Sequence, residues 1–253
     1  MAESTTRFSD RVQNYIRYRP GYPDEVVGML RDRCGLDSES VVADIGSGTG
    51  ISAHLFLENG NWVIGVEPNE PMRAAAEEWL GDNSRFRSVS GTAEATGLAD
   101  DAADFVVAGQ AFHWFDRERC RQEFERILRP RGWVVLMWNE RQTAATPFLE
   151  AYEALLSACG TDYTRVNHTN ITDDDIDRFY APSHCERWSM PTGQRFDLEG
   201  IRGRALSSSY TPNAGQPGYE TFIKQLDDCF ATHAEGGEVE FLYDTKIYYG
   251  QFR

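Results

Sequence analysis

The amino-acid sequence predicts an α/β fold, a doubly wound and mostly parallel sheet, on three grounds. Runs that are apolar throughout, such as "VVADIG" (41–46), "ADFVVAG" (103–109) and "WVVLMWN" (133–139), alternate with segments of helical period. A strand without a polar face must be covered on both sides, which is the setting of parallel strands flanked by helices. The first run passes into glycines at 46, 48 and 50; glycine is costly to order, so three of them between a strand and a helix make room for something. The chain's 253 residues, 41% hydrophobic, are enough for one large domain with a sizeable core.

The elements follow in order from about residue 24. "DEVVGMLRDRC" sets Val26, Val27 and Leu30 at helical spacing. After the 41–46 strand a helix starts near Thr49 with Leu55 and Phe56 inward. "WVIGVE" (62–67) is the next strand, and "NEPMRAAAEEWLG" a helix with Asn69 as N-cap and Gly81 as its stop. "RFRSVSG" (85–91) and "ADFVVAG" are strands; a helix around 117–129 closes at "RPRG", ahead of the strand "WVVLMWN".

The second half differs in texture. "TPFLEAYEALLSACG" (146–160) is helical, with Phe148, Leu149, Tyr152, Leu155 and Leu156 on a common side. A polar stretch up to Cys185 carries a short helix after Thr172. "CERWSMPTGQRFDLEGI" reads as a strand leading into a helix towards Leu206, and "EFLYDTKIYYGQF" as a strand by its aromatic and β-branched content. The expected organisation is a single domain, 1–253. It has a core over 1–140, a lid or substrate insertion over 141–185, and a return over 186–253 that completes the sheet.

Charge narrows the partners. A net charge of −15 opposes nucleic acid and anionic membranes, both of which need a cationic face. The arginines at 117, 119, 121, 126, 129 and 131 alternate with Asp116, Glu118, Glu123 and Glu125, a solvated mixed-charge face. Five separated cysteines without a Cys-x-x-Cys pair fit free thiols in a reducing compartment. With no apolar signal core and no spanning run, the expected location is the cytoplasm. Oligomeric state is not readable.

The glycine turn is where a ligand is expected. Strand, glycine turn and helix can present backbone N–H groups at a helix N-terminus. Glu67 ends the next strand, 21 residues after Gly46, where an acid can accept both hydroxyls of an adenosine ribose. The dinucleotide fingerprint wants Gly or Ala where Ile51 stands, and no Gly-Lys-Ser/Thr follows for a phosphate loop.

Four motifs carry a resemblance: "DIGSGTG" (44–50), "GVEPNEPM" (65–72), "GTAEATGLADDAADFVVAGQAFHWFD" (91–116) and "ILRPRGWVVLMW" (127–138). In order and spacing the first 140 residues resemble the class I S-adenosylmethionine-dependent methyltransferases. "AFHWFD" with "YIRYRPGYP" (15–23) resembles their small-molecule branch, which includes trans-aconitate methyltransferase-like enzymes. The resemblance implies a Rossmann-like sheet with an antiparallel C-terminal strand, and S-adenosyl-L-methionine as cofactor. Asp44 and the Gly46, Ser47, Gly48 and Gly50 backbone would face its methionine part. Glu67 would clamp the ribose, Pro68 and Met72 would border the adenine, and Ala93 and Glu94 would meet its amino group. Thr92 stands where the family commonly has Asp. Gln110 would lie beneath the sulfonium, and Tyr15, Arg19 and Tyr22 would cover the cofactor, with Arg19 reaching its carboxylate. Several have a plainer alternative: Asp44 as a helix or loop cap, Glu67 as a solvated strand end, Trp114 and Phe115 as core, and Tyr15, Arg19 and Tyr22 as pins for the N-terminal segment.

The implied reaction is in-line methyl transfer to a small-molecule O-, N- or C-nucleophile. A carboxylate acceptor needs no base; an alcohol, phenol or carbon acid does. His113, after the fourth strand and titrating near neutrality, is the candidate catalytic base, with a satisfied, partly buried histidine as its plain alternative. Arg141, Arg165, Arg178 and His168 are candidate carboxylate ligands in the insertion, or simply solvated. Rival readings are a nicotinamide-dependent oxidoreductase and a non-catalytic cofactor-binding protein. A nucleic-acid methyltransferase would want an Asn/Asp-Pro-Pro-aromatic run where "AGQAFHWF" stands.

Overall fold

The computed structural model describes residues 11–160 and 171–252. Among them seven strands form one sheet in the order β3-β2-β1-β4-β5-β7-β6. They are β1 Val41–Ile45, β2 Trp62–Val66, β3 Phe86–Val89, β4 Ala103–Gly109, β5 Leu128–Arg141, β6 Cys185–Phe196 and β7 Val239–Gly250. β1 pairs in parallel with both β2 and β4, and β7 runs antiparallel to both neighbours. The strand order reverses between β1 and β4, and such a switch point opens a crevice at the carboxyl ends of the strands.

The helices are α1 Val12–Tyr18, α2 Glu25–Cys34, α3 Ile51–Glu58, α4 Glu70–Leu80, α5 Arg117–Ile127, α6 Pro147–Cys159, α7 Asp173–Tyr180, α8 Leu198–Leu206 and α9 Tyr219–His233. One sheet face is packed by α2 and α3 through residues such as Val26, Leu30 and Phe56. The other is packed by α5 and α7 through Phe124, Ile127, Phe179 and Tyr180. The Tyr180 hydroxyl lies deep in that layer and reaches the carbonyls of Val134 (3.1 Å) and Tyr248 (3.2 Å), so its polar end is satisfied where water is excluded. A third apolar cluster joins α6, α8 and α9 to the far halves of β6 and β7.

Two local details differ from the expectations. The helix after the glycine turn begins at Ile51, because Gly50 takes φ +90° at the N-cap. "RPRG" does not end a helix in coil: α5 stops at Ile127 and β5 begins at once. Ala103 pairs with Leu128 and Phe105 with Trp133. Residues 129–132 are therefore looped out of register, with Arg131 at φ +66°. The mixed-charge face on α5 is ion-paired, with Arg126 on Glu123 and Asp100, and Arg129, just past the helix, is paired with Asp104. All five cysteines are free thiols. No helix among the described residues is long and apolar enough to cross a membrane.

Candidate active site

The site is assembled where β1, β2, β4 and β5 end. The glycine turn after β1 is closed on itself and on β2. Gly46 and Ser47 N–H donate to Val66 O at 2.8 and 3.2 Å, and Gly50 N–H donates to Ser47 O at 2.9 Å. Gly48 N–H donates to Glu67 Oε2 at 2.9 Å, while Asn69 N–H donates to Oε1 at 2.8 Å. Four of the turn's amides are thus already engaged, and the turn is not a cradle of free N–H groups for a phosphate. Its glycines serve close approach instead. Gly48, at φ +57°, lines the ligand space, and a Cβ there would stand 3.3 Å from Met72 Cε.

Two cavities meet at this point. One, of about 140 Å³, is lined by Glu67, Pro68, Asn69, Met72, Thr92, Ala93, Glu94, Ala111 and Phe115. No lining residue is basic and two are acids, so a pyrophosphate would find no cation there. The other, of about 240 Å³, is lined by Arg19, Arg141, Arg204, Tyr22, Ser47, His113, Asn139 and Tyr210 among others. Tyr15, Gly46, Gly48, Gly109, Gln110 and Trp114 belong to both walls. The two cavities therefore share a wall while differing in charge, which suits one extended ligand with a neutral nucleoside end and an anionic far end.

Glu67 is nearly buried, and burial raises its carboxyl pKa against the opposing pull of its two amide donors and Arg73. Gln110 holds φ +57°, rare for a residue with a side chain. Its N–H donates to Met137 O at 2.9 Å and its Nε2 to Asn139 O at 3.1 Å. A left-handed residue fixed at a strand end is stored strain of the kind found at working sites. His113 lies in the single-turn helix Phe112–Trp114, half-buried, with its ring 4.7 Å from that of Trp114. Phe115 lines the smaller cavity with its edge set against Phe112 and Phe124, so it is wall and core at once.

The sequence-derived candidates are distributed as follows. Gly46, Gly48, Glu67, Pro68, Met72, Thr92, Ala93, Glu94, Gln110 and Tyr15 line the smaller cavity; Ser47, Arg19, Tyr22 and His113 line the larger. Glu94 also accepts the Asp116 N–H at 2.8 Å, which ties the loop after β4 to the cavity wall. Asp44 and Gly50 line neither cavity. Asp44 is wholly buried beneath the turn, where Ser52 Oγ donates to Oδ2 at 2.6 Å and Oδ1 has no partner. Desolvation above all, with the nearby charge of Glu67, pushes its pKa up to about 7. Gly50 packs on α4, a Cβ there falling 2.5 Å from Leu80 Cδ1. Of the 141–185 segment, Arg141 and Thr143 reach the larger cavity; Arg165 and His168 lie outside the described residues. Arg178 is exposed on α7, beside Asp175 at 3.5 Å.

Sequence reasoning missed Asn139, Arg204 and Tyr210. Asn139 carried a signal: it is the polar end of an otherwise apolar strand, as Glu67 and Gln110 are of theirs. Arg204 carried a fainter one, since Ile201, Arg204 and Ala205 share a helical stripe that is buried throughout. Tyr210 follows α8 in a loop and had none.

A seven-stranded α/β sheet, with an acid closing the turn after its first strand and a cavity at the switch point, defines a nucleoside-cofactor-binding domain. Comparison with known proteins narrows the class. The methyltransferase domain family matches residues 43–136. An uncharacterized methyltransferase of Geobacillus is 30% identical over 180 residues, 65% of this chain and 82% of its own length. One of Schizosaccharomyces pombe is 29% identical over 156 residues (60% and 59%), and one of Mycobacterium tuberculosis 36% identical over 138 residues (53% and 52%). The chain thus spans little more than half the length of the latter two. The structure of a putative type II methyltransferase from Anaeromyxobacter dehalogenans shares the fold at 18% identity, TM-score 0.66, covering 93% of this chain and 98% of that one. The chain belongs to the class I S-adenosylmethionine-dependent methyltransferases.

The residues present fit that cofactor. An acid-lined, cation-free cavity suits a nucleoside next to a sulfonium, and the arginines of the adjoining larger cavity suit the carboxylate of its methionine part. Glu67, Pro68, Met72 and Thr92–Glu94 would hold the nucleoside, and Tyr15, Arg19 and the Gly46–Gly48 backbone the remainder.

Proposed function

We propose that this chain methylates a small-molecule acceptor held in the 240 Å³ cavity, with S-adenosylmethionine as donor. The observation that supports this reading is the wall common to both cavities, Gly109 and Gln110 within it, which joins a nucleoside site to a larger cavity that would take the donor's methionine end with the acceptor beside it. When bound, the donor supplies a sulfonium methyl whose C–S pair returns to sulfur as the acceptor's lone pair takes the carbon. The leaving group needs no proton, so the chain's main task is alignment, which can supply roughly 7–11 kcal/mol.

Gln110 Nε2 donates to the Asn139 carbonyl, which fixes the Gln110 side chain at the cavity wall, and Trp114 and Tyr15 line both cavities. His113 faces the acceptor side, where it takes the proton from an acceptor O–H or N–H as the new bond forms. The small size of the cavity and the net charge of −15 support a small metabolite over nucleic acid or a membrane lipid. A labelled-methyl transfer assay on a small-molecule extract tests the reading: label passing to the extract supports it. Binding of the donor without any transfer supports a non-catalytic cofactor-binding protein instead.

A further inference from the structure

The larger cavity contains more buried positive charge than the donor accounts for. Arg204, on α8, is 5% exposed. Its Nε donates to Tyr243 Oη at 2.9 Å and its Nη1 to Ser208 Oγ at 3.2 Å, with the Phe241 ring 5.0 Å from its guanidinium carbon. Arg19 shares the same hydroxyl, its Nη2 lying 3.4 Å from Ser208 Oγ and 3.0 Å from Ser207 O. Its Nε is buried without a partner. Among the described residues no carboxylate forms an ion pair with either guanidinium. The other charges in this wall are balanced, Arg141 by Glu153 and Glu140 by Lys246.

Two buried cations sharing one hydroxyl repel each other, and a buried charge without a counter-ion is strongly unfavourable. The effect reaches the neighbouring phenol. Burial raises the Tyr210 pKa, but Arg204, Arg19 and Arg141 together outweigh it and leave it lowered. The donor has one carboxylate, which Arg19, in the wall of the larger cavity alone, would take. One carboxylate cannot neutralise two guanidiniums, so Arg204, in the same wall, would be left without an anion.

On the reading that this is a methyltransferase, we propose that the acceptor is a small organic acid whose carboxylate docks on Arg204, backed by Tyr243 and Ser208. The planar guanidinium lines the larger cavity and is held in a fixed orientation at Nε and Nη1. Anchoring this way makes Arg204 a specificity residue that lies beyond the segment, 43–136, matched by the family. It selects acids over their neutral isosteres, because an amide or ester would leave the guanidinium buried and unneutralised.

The test uses the 253-residue chain saturated with S-adenosylhomocysteine and titrated calorimetrically with acetate, succinate and benzoate, and with succinamide and benzamide as neutral controls. At least one acid should bind and its amide should not, and Arg204→Lys should weaken that acid about tenfold or more by replacing the guanidinium that Tyr243 and Ser208 orient with a flexible ammonium while keeping the charge. Should Arg204→Lys fail to fold, Tyr243→Phe, which frees Nε from its anchor, should weaken the acid by a smaller factor, about threefold. Equal binding of acid and amide, no binding of any of the three acids, or wild-type acid affinity in the folded variant overturns the proposal. Failure of the wild-type chain to take up S-adenosylhomocysteine is a separate result and counts against the methyltransferase reading itself.

Discussion

Replacement of Glu67 by alanine probes the nucleoside site through the residue that both shapes it and faces it. In the structure each carboxylate oxygen accepts one backbone N–H, from Gly48 at 2.9 Å and from Asn69 at 2.8 Å. An ionised carboxylate oxygen can accept more than one hydrogen bond, so each has capacity for one ribose hydroxyl of a ligand in the cavity that Glu67 lines. A hydrogen bond to a charged group is worth about 1.5–3 kcal/mol, so losing two removes roughly 3–6 kcal/mol of donor binding. At about 1.4 kcal/mol per decade, donor affinity should fall by roughly 10²–10⁴-fold. The two amides released by the substitution border the cavity, where water can reach them, so the fold should survive with a modestly lower melting temperature. Calorimetric titration with S-adenosylhomocysteine, alongside a thermal melt, reads both effects. Affinity within about threefold of wild type in a folded Glu67→Ala protein would refute the ribose-clamp role and leave Glu67 as a loop brace.

Three further outcomes follow from the same geometry. Asp44 titrates at about 7 against an ordinary 3.8; a raised carboxyl value means the protonated form is the one the fold favours. Its contribution is therefore complete below about pH 4 and declines as pH rises to about 7, by roughly 4 kcal/mol in all. Wild-type melting temperature should fall more steeply than that of Asp44→Asn between about pH 5 and pH 8, and parallel curves would contradict the assignment. Gly50→Ala places a Cβ 2.5 Å from Leu80 Cδ1 at φ +90°, costing about 2 kcal/mol or more and lowering the melting temperature by at least about 4 °C; an unchanged melt would contradict it. His113→Ala should reduce turnover ~10²–10⁴-fold with donor binding intact, whereas a loss of only a few fold would make the histidine a wall residue.

What could be read from the sequence was what local pattern controls. The strands around 41, 62, 103 and 133 announce themselves because strands buried on both faces have no polar period to hide them. Asn69 as N-cap follows from one side chain, and it accepts the Met72 N–H at 3.0 Å as expected. The nucleoside cavity was legible because its residues cluster in short motifs at strand ends. The acceptor cavity was not, because long-range contacts build it. α1, seven residues with no buried side chain, is held across the site by Arg11, which reaches Leu206 O at 2.9 Å and Thr211 Oγ1 at 3.0 Å. Gly203 admits the ring of Tyr18, since a Cβ at that glycine would lie 2.0 Å from Tyr18 Cε2. No periodicity in residues 11–23 encodes a partner nearly two hundred positions away, and Arg204 enters the cavity only because α8 packs beneath that helix.

The central claim is that the space between the glycine turn and Glu67 takes an adenosine sulfonium donor and not a dinucleotide. Calorimetric titration of the wild-type chain with S-adenosylhomocysteine, paired with an identical titration with NADH, tests it most directly. One equivalent of S-adenosylhomocysteine per chain and no heat from NADH is the predicted result. Saturable NADH binding, or no uptake of S-adenosylhomocysteine, would contradict it.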